Sequence, residues 1–295
     1  METKNIKMKI DYKKIKVFSE YNVDNLEYPL ILSVPHSGTY FPPEFLQNVR
    51  FDEKNLRRNE DLLVDELLEN AINYGIPTIK MEVTRTFIDL NRDRLEVDPH
   101  MFYNYPKNSE VLYDTHCRVG LGVIHRINYK RENIYDGLLD YNEVQARIKN
   151  VYDVYHQRLS QLIEKCIKKF GFCLVLDCHS MPSKICTIVD SRKGIDICLG
   201  NLFNQSCPQE MCDLFATQFW NNNYSVEYNC PYSGAFITFN YCLPRKKMYT
   251  LQLEINRGLY ADEENLQKSE DFYEVAEDIS GAVINFAENL KRMSF

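Results

Sequence analysis

The sequence predicts an α/β protein, a three-layer α/β/α sandwich on a mixed, largely parallel sheet. Two observations predict it. Apolar runs of strand length alternate along the chain with helix-length amphipathic segments, the pattern of helices packed on a sheet. The runs Leu30–Val34 and Phe172–Leu176 are moreover apolar without alternation, as strands covered on both faces are.

Residues 1–25 read as an N-terminal extension or edge segment of a single domain spanning 1–295. The strand-like runs are Leu30–Val34, Thr78–Val83, Phe87–Leu90, Phe172–Leu176, Ile185–Val189, Phe236–Phe239 and Met248–Leu253. Residues 52–74 read as a helix beginning near Asp52 and stopping at Gly75-Ile76-Pro77, where Gly and Pro end the pattern. The longest helical signal follows Asp140. There Val144, Ile148, Val151, Tyr155, Leu159, Leu162 and Cys166 form one apolar stripe closed by Gly171. Residues 207–222 and 262–292 read as further helices. The stretch 98–140, rich in Tyr, Asn and charge, exceeds a plain connection, and loops of that size are often functional.

Composition excludes several classes. The chain has 35 Lys and Arg against 42 Asp and Glu, a net charge of −7, which argues against nucleic acid or an anionic membrane as the main partner. No run approaches the roughly 18 apolar residues of a spanning helix. The N-terminus has lysines but no apolar stretch or cleavage pattern, so neither a secretory signal nor a transit peptide is expected. The ten cysteines form no C-x2-C pair and sit mostly in apolar runs; they read as reduced, buried thiols of a cytoplasmic protein.

The chemistry concentrates where three apolar runs meet polar groups: Leu30–Val34 before Pro35-His36-Ser37, Phe172–Leu176 before Asp177-Cys178-His179, and Tyr249–Leu253 before Glu254-Ile255-Asn256-Arg257. In open α/β sheets the ligand crevice lies outside the carboxyl ends of the strands. Parallel neighbours would bring two His and one Glu together there. Two imidazoles, a carboxylate and a water form the ligand set of a catalytic zinc, with a further carboxylate as general base. Each His taken alone reads as a core or loop histidine; finding both at strand ends beside Ser and small residues puts the two readings level. A second cluster, Thr84 to Arg94, holds Arg85, Asn91 and Arg92 and suits an acidic substrate, because Arg binds carboxylate through a planar fork; the plain reading is a solvated loop. In the helix expected over 52–74, Glu60 falls on the stripe 56, 60, 63, 67, 71 and Asp61 on 61, 64, 68, 72. Both would then face the apolar side, as helix-end carboxylates or as metal ligands.

Together the motifs SVPHSG (33–38), NEDLLVDELL (59–68), TRTFIDLNR (84–92), GLGVIHRI (120–127), NIYDGLL (133–139), VYHQRL (154–159), DCHSMPS (177–183) and LEINRGLY (253–260) resemble the N-formylglutamate amidohydrolase family. The resemblance covers most of the chain from about residue 30 onward. It implies a fold like that of zinc carboxypeptidases, one zinc per chain, and hydrolysis of N-formyl-L-glutamate to formate and glutamate in histidine degradation. It further implies that His36 and His179 bind zinc, that Glu254 is the general base, and that Arg85, Asn91 and Arg92 hold the substrate's carboxylates. Arg126 and Arg257 are further candidates for anion contact, and His125 and His156 read as structural. The carboxypeptidase pattern has a Glu three residues after the first His, where this chain has Thr39. The carboxylate must come from elsewhere, and the resemblance points to Asp61, in the stretch that matches the family's acidic helix start, rather than Glu60.

Three other readings compete. One is a zinc hydrolase of the same fold acting on another N-acyl amino acid or peptide. Another is a non-catalytic binding protein. The third is a cysteine hydrolase using Cys178, disfavoured because adjacent residues of a strand project to opposite faces.

Overall fold

The computed structural model describes residues 4–189 and 194–293. The chain packs into two compact units that interleave in sequence. The first holds the segments up to Phe18, Gly38–Glu60 and Met81–Gln157; the second holds Ser19–Ser37, Asp61–Lys80 and the chain from Arg158 onward.

Nearly all of the seven-stranded sheet belongs to the second unit. Its strands lie in the order Phe18–Tyr21, Thr78–Met81, Leu30–Val34, Cys173–Met181, Met248–Asn256, Ile197–Gly200, Val226–Tyr228. The Leu30, Thr78, Cys173 and Met248 strands run parallel, and Ile197–Gly200 runs antiparallel to Met248–Asn256. The mixed, largely parallel sheet is thus present, and its two central long strands are buried along almost their whole length.

Strand alternation sorts the side chains between two faces. Leu30, Leu32, Val34, Leu174, Leu176, Cys178, Leu251, Leu253 and Ile255 enter one core with the helices Gln209–Trp220 and Phe272–Arg292, where Phe215 stacks on Phe286 at 4.5 Å. Each fully buried Leu, Ile or Phe contributes roughly 1.5–3 kcal/mol. On the opposite face the Cys173 thiol meets Cys166 of the Asp153–Phe170 helix. The predicted stripe is buried throughout, from Val144 to Cys166, on a helical run that includes a π turn over Ile148–Tyr152.

Several expectations are corrected. Ile185–Val189 lies in the helix Ser183–Val189, which starts just after Pro182, and Phe236–Phe239 lies in the short helix Phe236–Asn240; β-branched and aromatic content alone did not separate strand from helix in such short runs. Phe87–Leu90 is a buried turn, with Phe87 N–H bonded to Thr84 O and Asp89 N–H to Val123 O. The helix expected over 52–74 is broken into Glu53–Leu56, a 3-10 turn Arg57–Asn59, then Val64–Leu67 and Glu69–Tyr74. Leu63 interrupts it with φ 59°, a left-handed conformation that an apolar side chain seldom adopts. Glu60 and Asp61 therefore do not share a helix face. The strands of His179 and Glu254 also run to Met181 and Asn256, so both residues lie within strand ends rather than beyond them. The polar residues keep their ladder bonds.

In the first unit the 98–140 stretch holds a 3-10 turn at Pro99–Met101, the helix Thr115–Val119, and Gly137–Leu138 paired parallel with Lys4–Asn5. Among the described residues no helix is long and apolar enough to cross a membrane. All ten cysteines are free, and eight are buried.

Candidate active site

The second unit brings His36, Asp61 and His179 together, all three buried. His36 follows the Leu30–Val34 strand, and the backbone carbonyl of His36 accepts the Asp61 N–H at 3.1 Å. The break at Leu63 frees Asp61 from helical geometry, while the buried Tyr260 hydroxyl donates to Leu62 O at 2.8 Å and anchors the segment. His179 lies three places after Leu176 on the central strand, its side chain on the face opposite Cys178.

Asp61 Oδ2 lies 2.8 Å from His179 Nδ1 and 3.3 Å from His36 Nδ1. The imidazole centroids are 4.9 Å apart, and one ligand atom from each of the three residues lies within 4.8 Å of the others. The other ring nitrogen of His179, Nε2, is 2.8 Å from Asp177 Oδ2. That contact fixes the ring and leaves Nδ1 for a metal, as carboxylate partners of ligating histidines do. Burial alone would depress the His179 imidazole, but Asp177, Asp61 and Glu254 outweigh it and hold the group well above the usual imidazole range. Asp61 pairs with Arg257 and with both imidazoles, and Asp177 pairs with His179. A divalent cation matches the donor set of two nitrogens and one carboxylate.

Arg257 begins the 3-10 turn Arg257–Leu259 that follows the Glu254 strand. Its Nη2 donates to Asp61 Oδ1 at 3.0 Å and to Ser180 O at 3.1 Å, and its Nε donates to Ser180 Oγ at 2.9 Å. Glu254 is the register partner of His179 on the adjacent parallel strand. Gln252, two residues earlier on the same face, donates from Nε2 to Glu254 Oε1 at 2.8 Å.

The remaining candidates lie in the first unit. Asp89 is fully buried and gathers Arg85 Nη2 at 2.8 Å, the Asn91 N–H at 2.8 Å and His125 Nε2 at 3.0 Å. Burial depresses the His125 imidazole against the pull of Asp89. Arg92 donates to Leu121 O and Asn91 O. Arg126 stands apart from the Asp89 group, paired with Asp98 at 3.2 Å. Glu60 pairs with Arg57 at 3.0 Å, not with the histidines. His156 meets the Leu90 carbonyl at 3.0 Å.

Sequence reading missed three supporting residues. Asp177, Asp89 and Gln252 all sit two residues from a residue singled out by sequence, at His179, Asn91 and Glu254. In the strands that i, i+2 spacing shares a face, a signal that could have found Asp177 and Gln252. Cys178 is buried in the core with its thiol pushed well up by burial, the reverse of an activated nucleophile.

The chain is 26% identical over 245 residues to the N-formylglutamate deformylase of Pseudomonas aeruginosa, covering 80% of this chain and 83% of that one. To the N-formylglutamate deformylase of Pseudomonas putida it is 25% identical over 238 residues, with 80% and 82% covered. The crystal structure of N-formylglutamate amidohydrolase from Ralstonia eutropha JMP134 superposes with a TM-score of 0.87 at 29% identity, covering 94% of this chain and 99% of that one. The family model for N-formylglutamate amidohydrolase matches residues 28–261, a span that includes His36, Asp61, His179 and Glu254. With the match running over most of its length, the chain belongs to the N-formylglutamate amidohydrolase family.

Proposed function

We propose that the protein is a zinc-dependent amidohydrolase that converts N-formyl-L-glutamate to formate and L-glutamate. The observation that carries this reading is the convergence of His36, Asp61 and His179, with Glu254 as the register partner of His179, in a chain of this family. His36 Nδ1, His179 Nδ1 and Asp61 Oδ2 would hold one zinc ion per chain. Bound there, zinc supplies Lewis acidity that polarises a carbonyl and acidifies water.

The chain's own groups then divide the work. Glu254 takes a proton from the attacking water and passes it to the amine nitrogen that leaves. Gln252 orients Glu254 through Oε1. Asp177 keeps the His179 ring in the tautomer that turns Nδ1 to the metal. Arg257 holds Asp61 by its second oxygen, so that Oδ2 stays with the imidazoles. The substrate's carboxylates are assigned to Arg85, Asn91, Arg92 and Arg126. What supports this is the meeting of Arg85 and the Asn91 N–H at Asp89, in a short segment that also carries Arg92, a donor set that suits a small acidic N-acyl amino acid; Arg126 rests on the family match alone. We read residues 1–295 as one catalytic domain, supported by a family match that runs through segments of both units. The cytoplasmic setting rests on ten free cysteines, and the place in histidine degradation on the substrate alone.

Formate release from N-formyl-L-glutamate, assayed before and after chelation and after zinc return, tests the proposal. Zinc-reversible release is expected. A zinc-loaded protein that cleaves N-acetyl-L-glutamate but not the formyl compound would overturn the substrate; full activity after exhaustive chelation would overturn the metal.

A further inference from the structure

We infer that Glu96, Asp114 and His116 form a second divalent-cation site, which takes zinc or a metal of similar borderline softness. The three residues belong to the first unit, and one ligand atom from each lies within 4.8 Å of the others. His116 Nδ1 is 2.8 Å from Asp114 Oδ2 and 3.6 Å from Glu96 Oε2.

The independent pointer is the Glu96 carboxylate. Glu96 is only 7% exposed, and its Oε1 accepts the Asp93 N–H at 2.9 Å, which fixes the group. Its Oε2 is buried and has no hydrogen-bond partner. His116 at 3.6 Å lies beyond hydrogen-bond range and already meets Asp114. A buried carboxylate oxygen left without a donor is costly, and this one is aimed at the only imidazole of the cluster. Asp114 is oriented in the same manner. Its Oδ1 accepts the Cys117 N–H at 2.9 Å, which directs Oδ2 to His116.

One imidazole nitrogen and two carboxylate oxygens, with a fourth position for water, match zinc. Ligands about 2.1 Å from a tetrahedral metal lie about 3.4 Å from one another. The separation of 3.6 Å between Glu96 and His116 already fits, and the 2.8 Å contact opens by rotation of the half-exposed His116 ring. Such a metal would bind the turn at Asp93–Glu96 to the helix Thr115–Val119. Leu121 N–H donates to His116 O and Val123 N–H to Glu96 O, both at 2.8 Å, while Arg92 Nε donates to Leu121 O at 2.9 Å. The site is a clamp on the backbone that carries Arg92.

Equilibrium dialysis of the full chain against micromolar free zinc, with metal counted per chain, tests the inference. Wild type is expected to hold one equivalent more than His116→Ala. Glu96→Gln, which keeps the shape of the side chain, is expected to lose the same equivalent. His36→Ala should keep it, which separates this site from the proposed catalytic one. Equal zinc content in wild type, His116→Ala and Glu96→Gln would overturn the inference, and would identify the cluster as side-chain contacts that hold no metal.

Discussion

His179 and Glu254 are register partners on adjacent parallel strands, with their side chains on the same face of the sheet. Neighbouring strands lie about 4.8 Å apart, so the ladder itself fixes the spacing between the proposed metal ligand and the proposed base. Glu254→Gln keeps the shape and the strand but removes the proton acceptor. Turnover of N-formyl-L-glutamate is expected to fall by about 10²- to 10⁴-fold, with zinc content unchanged. A variant that retains wild-type turnover would remove Glu254 from the mechanism, and one that loses zinc would make it a ligand.

Asp177 Oδ2 lies 2.8 Å from His179 Nε2. Asp177 also accepts from Ser33 Oγ at 3.3 Å, across the register pair Ser33 and Asp177, so the strand that leads to His36 braces the partner of His179. Asp177→Asn is expected to weaken zinc binding by about 10- to 100-fold, read by competition with a chelator. Turnover at saturating zinc should recover most of its value. If affinity stays unchanged, Asp177 is not a partner that the metal site depends on.

Glu60 and Asp61 are adjacent in sequence and differ in their partners. Asp61→Asn should release the zinc, whereas Glu60→Gln should keep it. Burial pushes the Glu60 carboxyl up to about 8, against the pull of Arg57. Between its ordinary value and 8 the folded chain keeps a proton that the unfolded chain has released, so stability falls as pH rises through that window. Urea midpoints measured from pH 5 to pH 8 should decline in wild type and decline less in Glu60→Gln. Parallel curves would show that Glu60 does not carry the pH dependence.

The sheet and the long stripe were legible because buried parallel strands and amphipathic helices each impose a period, and Leu30–Val34 and Val144 to Cys166 follow theirs without interruption. That His36 and His179 cluster, with Glu254 beside His179, was legible because the polar residues follow directly on apolar runs. The helix break at Leu63 was not legible, since nothing in NEDLLVDELL marks a left-handed leucine; Tyr260, 197 residues later, helps to hold it in place. The Asp89 cluster was equally hidden. Its partners Arg85 and His125 meet only through tertiary contact, and Phe87–Leu90 carries a strand-like composition within a turn.

Arg147 is fully buried in the first unit, and Glu143 holds it from one helical turn earlier with bonds of 2.8 to 3.0 Å. Phe87 O and the Tyr135 hydroxyl accept from Nη1, and the guanidinium lies 4.3 Å from the Phe87 ring centroid. Every nitrogen of the guanidinium thus has a partner, and Glu143 answers its charge. Arg147→Met removes the charge and leaves Glu143 buried without its counter-ion, so unfolding free energy should drop by about 3–5 kcal/mol. Converting both partners, as Arg147→Met with Glu143→Leu, takes away the stranded carboxylate and should recover most of the loss, because an apolar pair of similar volume often replaces a buried ion pair at little cost. Urea denaturation of the two variants beside wild type decides the matter. A double variant as unstable as the single one would show that the turn at Phe87 depends on the guanidinium itself, through its bond to the Phe87 carbonyl, rather than on charge balance with Glu143.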